Sequence, residues 1–152
     1  MKGIDMKKIN SIISLSFLVI FLLVSNVNSS SDWKVYSIDN DWNVYSYMKG
    51  NIDKDGGQYI VQVSVKKFFS DRGREKEIQD KTEKGLLNKG YEKLSDEISL
   101  NEIDCKNREI RTLHIYSNDK DGNVLFFFDK KTEWMYIPPD SREEKLLKEV
   151  CK

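Results

Sequence analysis

Two periods of hydrophobicity run along the chain and separate sheet from helix. The clearest is in Gln58–Phe69, where Tyr59, Val61, Val63 and Val65 alternate with Gln62, Ser64 and Lys66. A period of two is that of a strand with one buried and one wet face. DKDGG at 53–57 precedes it and supplies glycines for a tight turn. Upstream, Trp33–Ile38 and Trp42–Met48 read as two shorter strands joined at Asp39-Asn40-Asp41. Downstream, Leu94–Cys105 and Arg108–Tyr116 read as a pair joined at Lys106-Asn107, and NDKDGN at 118–123 turns the chain into Val124–Phe128. In the first of that pair, Ile98 and Leu100 share one parity while Ile103 and Cys105 share the other. A bulge between them would bring all four to one face.

Helical periods occur twice and differ in quality. The last segment, DSREEKLLKEVCK, carries Ser141 three residues before Glu144, the spacing of a capping box. Leu146, Leu147 and Val150 form an apolar stripe, with Lys148 and Lys152 placed to complement the helix C-terminus. By contrast, 70–90 is charged, and a helix over 74–88 would have Ile78, Leu86 and Leu87 as its only large apolar residues. Glu77–Lys81 and Asp80–Lys84 support it at a spacing of four, but Gly85 costs it about 1 kcal/mol. That segment reads as a solvated helix or a loop. The sum is an α+β domain: an antiparallel sheet of about six strands, a C-terminal helix packed on it, and a charged helix at 74–88.

The first 29 residues fall outside this pattern. A basic start with Lys2, Lys7 and Lys8 leads into an apolar stretch from Leu15 to Val24, extended upstream by Ile12 and Ile13, and then into SNVNSSSD. This is the layout of a secretory signal peptide, cut after Ser29 or Ser31, with Met1 or Met6 as the start. The ten-residue stretch is short of the roughly 20 residues needed to span a bilayer. No cysteine lies near the cut to carry a lipid. Residues 30–152 are then a single exported domain, destined for the periplasm, the medium or the cell surface without a lipid anchor. Loss of three lysines and one aspartate leaves 22 Lys+Arg against 24 Asp+Glu, a net charge of −2. Interspersed charge of both signs excludes the basic face a nucleic-acid partner needs, and equally electrostatic docking on anionic lipid.

Export also bears on Cys105 and Cys151, the two cysteines of the chain. In an oxidising compartment a pair reads most economically as one disulfide. Closing a loop of about 46 residues is worth about 4 kcal/mol. The competing readings of Cys105 are weaker. A catalytic thiol wants a base, and His114 is the single histidine; a zinc site wants four close-spaced ligands, and there is no CxxC or HxxxH.

The remaining candidate chemistry is thin. DKDG occurs at 53–56 and 119–122 and invites a calcium loop. Counting from Asp119, the glycine position is Val124; counting from Asp53, positions five and six are Gly57 and Gln58. Hairpin turns suit both better. His114 sits in a strand pattern with no GxSxG, HExxH, SxxK or phosphate-cradling loop anywhere, so no enzyme, metal or cofactor is called for. A histidine isolated from carboxylates and hydroxyls would close the enzyme reading. Most aromatic residues read as core, with Trp33, Trp134 and the alternating valines at its centre. FFF at 126–128 puts phenylalanines on both faces of a strand, and at least one must find cover from a helix, a loop or a second chain.

Several local patterns, taken together, resemble the surface-adhesin protein E family of bacteria. They are DWKVYS after the leader, EIDCKNREIR, YSNDKDGNV, Trp134 followed by IPPDS, and a final helix ending in cysteine, in matching order across nearly all of 32–151. The resemblance implies a six-stranded antiparallel sheet with a packed helix, a Cys105–Cys151 disulfide, and export to the envelope or surface. It further implies binding of host matrix or serum proteins such as laminin and vitronectin, and a capacity to form a homodimer, through edge strands or the FFF face. It assigns no ligand-contact residues. The chain departs from the family in lacking a lipid-bearing cysteine and in the length and charge of 70–90. The alternative function is a periplasmic accessory or structural envelope protein with no host ligand.

Overall fold

The computed structural model describes residues 32–53, 59–86 and 89–152, all within one compact unit, Asp32–Lys152. The leader, its cut sites and both candidate starts lie outside the described residues. So do positions 54–58 of the DKDGG turn, with the calcium reading from Asp53, and residues 87–88 near the end of the expected charged helix.

The sheet is an antiparallel meander in the order β1-β2-β3-β4-β5-β6, made of Lys34–Ile38, Val44–Asp53, Ile60–Phe68, Leu94–Asp104, Glu109–Asp119 and Val124–Phe128. A short β7, Met135–Tyr136, pairs with the start of β5 and was not expected from the sequence. Two residues are too few to show a period. The sheet curls into a half-barrel, and both helices lie on its inner face. The expected α+β architecture is therefore the one observed.

The helix α1 spans Asp71–Glu83, starting earlier and ending earlier than expected. Ser70 caps it, its hydroxyl accepting from the Gly73 N–H at 2.9 Å. Helix α2 spans Arg142–Val150, with the expected Ser141 cap accepting from the Glu144 N–H at 3.0 Å. The Glu144 carboxylate accepts from the Asp140 N–H at 3.0 Å, one residue beyond the N-cap N–H of the ordinary capping box.

The core lies where α2 meets the lower half of the inner face. It contains Tyr47, Val61, Val63, Ile103, Ile137, Leu146, Leu147 and Val150. Val61 and Val63 hold the central place the alternation gave them, but Trp33 and Trp134 do not. Both are half-buried, and Trp134 lies against the Arg111 guanidinium at 4.1 Å. Leucine, isoleucine and valine side chains with Tyr47 fill the space beneath α2 instead. Cys105 and Cys151 close a disulfide at the end of that core, with Cα atoms 5.7 Å apart.

Trp42 was expected in a strand and instead sits in a turn, 70 % exposed with φ 64°. That turn is built twice. Asp39 Oδ1 accepts from the N–H groups of Asp41 and Asn43, and Oδ2 from the Asn43 amide. Asp119 makes the same three bonds to Asp121 and Asn123. The left-handed position is Gly122 in the second turn and Trp42 in the first. The Asp119 carboxylate is thus spent on its own turn.

The expected bulge is also relocated. β4 pairs with β3 in unbroken register, and the irregularity near Leu100 places the extra residue, Leu113, in β5. Ile98 and Leu100 therefore stay on the outer face, opposite Ile103. Glu97, Ser99 and Asn101 face inward in their place.

Candidate functional site

Register decides what lines the inner face above the core. Tyr45, Lys67, Glu97, Ser117 and Phe126 form one row across five strands; Tyr47, Val65, Ser99, Ile115 and Phe128 form the next; Asn101 pairs with Thr112 below them. Inward positions of a sheet covered by helices ordinarily carry apolar side chains. Here Lys67, Glu97, Ser99, Asn101 and Thr112 occupy them. They floor a half-open cavity of about 330 Å³ between the sheet and the first turn of α2. That volume lies in the range of small-ligand pockets.

The cavity has apolar walls from Tyr36, Val65, Ile115 and Leu146. Burial pushes the Tyr36 hydroxyl up to about 12 and raises that of Tyr45, so both rings stay neutral. Arg142 lies 4.2 Å over the Tyr45 ring and pairs with Glu143 at 2.6 Å. Lys67 pairs with Glu77 of α1 at 3.3 Å, and Lys81 holds the same carboxylate at 3.4 Å. In the floor, the Thr112 hydroxyl donates to Asn101 Oδ1 at 2.9 Å, and the Asn101 amide donates to Ser99 Oγ at 2.8 Å. Glu97 differs from its neighbours. Its recorded contact is the Ser117 hydroxyl at 3.3 Å, and among the described residues no cation lies within ion-pair distance. Burial raises its carboxyl above the ordinary range, against the opposing charges of Lys67 and Lys81.

The outer face is uncovered by either helix. Tyr116 and Phe127 stack there at 4.9 Å, with Phe68 and Val124 exposed one row away and Met48 on the other side. Of the FFF run, Phe127 is the outward ring, 49 % exposed; Phe126 and Phe128 turn inward and are half-buried.

The sequence-derived candidates fare differently. Cys105 and Cys151 come together as a disulfide and so offer no thiol. His114 is not isolated: its Nδ1 lies 2.7 Å from Asp129 Oδ1, though not in hydrogen-bond alignment. Both groups are on the wet outer face, and no hydroxyl among the described residues bonds to the ring. The polar inner row was missed, because a bulge in β4 would have turned it outward. The signal was present in the strict alternation of Glu97, Ser99, Asn101 and Ile103.

A disulfide-closed antiparallel half-barrel, with a polar cavity under a C-terminal helix and an aromatic outer face, has the build of a small binding domain. The family model for surface-adhesin protein E matches residues 33–152, and the chain belongs to that family. Searches of curated proteins and of solved structures returned no match. Membership makes a surface-adhesin-like, exported role the one the family supports. Among the described residues, no helix is long and apolar enough to cross a membrane.

Proposed function

We propose that this chain is an exported, non-catalytic binding domain whose partners are host matrix or serum proteins, with laminin and vitronectin as the first probes. In this reading residues 1–29 are a signal peptide, 30–152 are the working domain, and no lipid anchor is attached. The observation that carries it is the uncovered aromatic face. Tyr116 and Phe127 stand stacked and half-exposed on β5 and the edge strand β6, held in the sheet by the β5–β6 ladder. Exposed aromatic residues on rigid elements contribute most to protein interfaces, because they bury much area with little ordering cost.

The test is a titration of the oxidised protein over immobilised laminin and vitronectin, beside Tyr116→Ser/Phe127→Ser. Saturable binding by the wild type, weakened at least about tenfold in the variant, supports the reading. No binding from folded wild-type protein leaves the periplasmic accessory role in its place. Sedimentation of the same two proteins shows whether this face instead joins two copies; a dimer dissolved by the double substitution would replace the host partner with a second chain.

A further inference from the structure

Most of the half-buried and buried carboxylates around the sheet are well partnered. Glu102 is held by Arg111, Lys131 and the Gln62 amide; Glu144 by Arg108, Lys148 and a backbone N–H; Asp96 by Lys66 and Asn118; Asp39, Asp104 and Asp119 by the N–H groups of their own turns. Among the described residues, Glu97 and Glu109 have no ion pair, and of these two it is Glu97 that lines the cavity, with one hydroxyl at 3.3 Å. A carboxylate taken out of water without a cation or several donors is costly. The nearest cations relieve it only in part, because Lys67 and Lys81 converge on Glu77. Arg142, the other cation of the cavity, is engaged by Glu143. The cavity thus satisfies its own positive groups and leaves a negative one unsatisfied.

We propose that this cavity is a binding site for an organic cation carried on an apolar stem, an alkylammonium or guanidinium group, with Glu97 as its counter-ion. The stem would lie against Tyr36, Val65, Ile115 and Leu146, and the Ser99 and Thr112 hydroxyls are placed to accept its remaining protons. An anion would meet no unpaired cation there, and a purely apolar ligand would bury Glu97 further at a cost. The cation could be a lysine or arginine side chain of a partner protein or a free amine. The first source rests on the binding-domain reading; the second does not. Loss of laminin and vitronectin binding would sink that reading while leaving this site standing.

The test is a nuclear magnetic resonance titration of the oxidised, isotope-labelled protein with Nα-acetyl-lysine amide, Nα-acetyl-norleucine amide and butylamine. The norleucine probe keeps the four-carbon stem of the lysine probe and lacks its terminal ammonium. The site predicts saturable shifts of the Ser99, Asn101 and Ser117 amides with the lysine probe, and an affinity lower by about tenfold or more for norleucine. Glu97→Gln keeps the shape and should remove that preference. Equal affinities for the lysine and norleucine probes, or an unchanged preference in Glu97→Gln, would overturn the site, as would the absence of saturable shifts. Butylamine binding as tightly as the lysine probe assigns the site to free amines, and clearly weaker binding assigns it to a protein side chain.

Discussion

The two helices lie on the same face of the same sheet and are held there by opposite means. Helix α2 is held by apolar contact: Leu146, Leu147 and Val150 are buried, and the disulfide locks its end to β4. Its polar groups add direction, with Arg108 on Glu144 and the Lys49 ammonium donating to the Val150 carbonyl at 2.6 Å. Helix α1 buries Gly73 alone. It is held by charge, through Lys67–Glu77 on the sheet and through Arg72 and Lys76 on Asp41 of the first turn. The exposed Arg72 and Lys76 contacts are of the kind worth about 0–1 kcal/mol each, while Lys67–Glu77 is half-buried. One helix is therefore part of the core, and the other is a charged cover over the Glu97 end of the cavity.

That contrast can be broken at several points. The largest effect should come from Cys105→Ser/Cys151→Ser, which frees the end of α2. A loss of about 2–5 kcal/mol is expected from denaturant unfolding, with cooperativity retained if burial still docks the helix. Next is Gly73→Ala. In an exposed helix this change would stabilise by about 1 kcal/mol. Here the added methyl carbon would sit 1.8 Å from Asn43 Oδ1, which also accepts from the Ser70 N–H at 3.1 Å. A destabilisation of about 1–3 kcal/mol is expected; a gain would mean that α1 does not dock through its first turn.

Two carboxylates sharpen the comparison by titrating in opposite directions. Arg108, the Asp140 N–H and Lys148 hold Glu144 of α2 at about 2, below its ordinary 4.5. A depressed folded value means stability that is present above pH 4.5 and lost as pH falls toward 2. Glu97 is raised by burial, so its cost is fully present above its folded value, declines as pH falls through it and is gone below the ordinary 4.5. Thermal unfolding across pH should show Glu144→Gln less stable than wild type at neutral pH, the gap closing in acid. Glu97→Gln should be more stable at neutral pH, that gap also closing in acid. Wild-type-like curves for both would remove the electrostatic side of the contrast. The smallest effect belongs to Lys76→Gln at the exposed end of its pair with Asp41, expected to cost no more than about 1 kcal/mol by chemical denaturation.

Much of the fold was legible because its signals are local. The Tyr59–Val65 alternation, the Ser141 cap and the Leu146, Leu147, Val150 stripe each describe one element by its own period. The site was less legible because it depends on register. Parity placed Glu97, Ser99 and Asn101 together, but which face they take is settled by where a bulge falls. That bulge lies at Leu113 in the neighbouring strand, and nothing in β4 announces it. Trp42 misled for a related reason. An aromatic residue before an alternating run reads as strand, yet the Asp39–Asn43 bonds fold it into a left-handed turn that its twin gives to Gly122.

By itself, the sequence determined the class of the domain, the approximate spans of six strands, the C-terminal helix and the family resemblance. These follow from periodicity, caps and turn chemistry, which act over a few residues. Only the tertiary structure decided that α1 and α2 share one face, that the tryptophans stay out of the core, and that a half-buried carboxylate opens into a cavity. Those outcomes depend on which distant side chains compete for the same space and the same charge, and Glu97 stands unpaired because Lys67 and Lys81 both reach Glu77 instead.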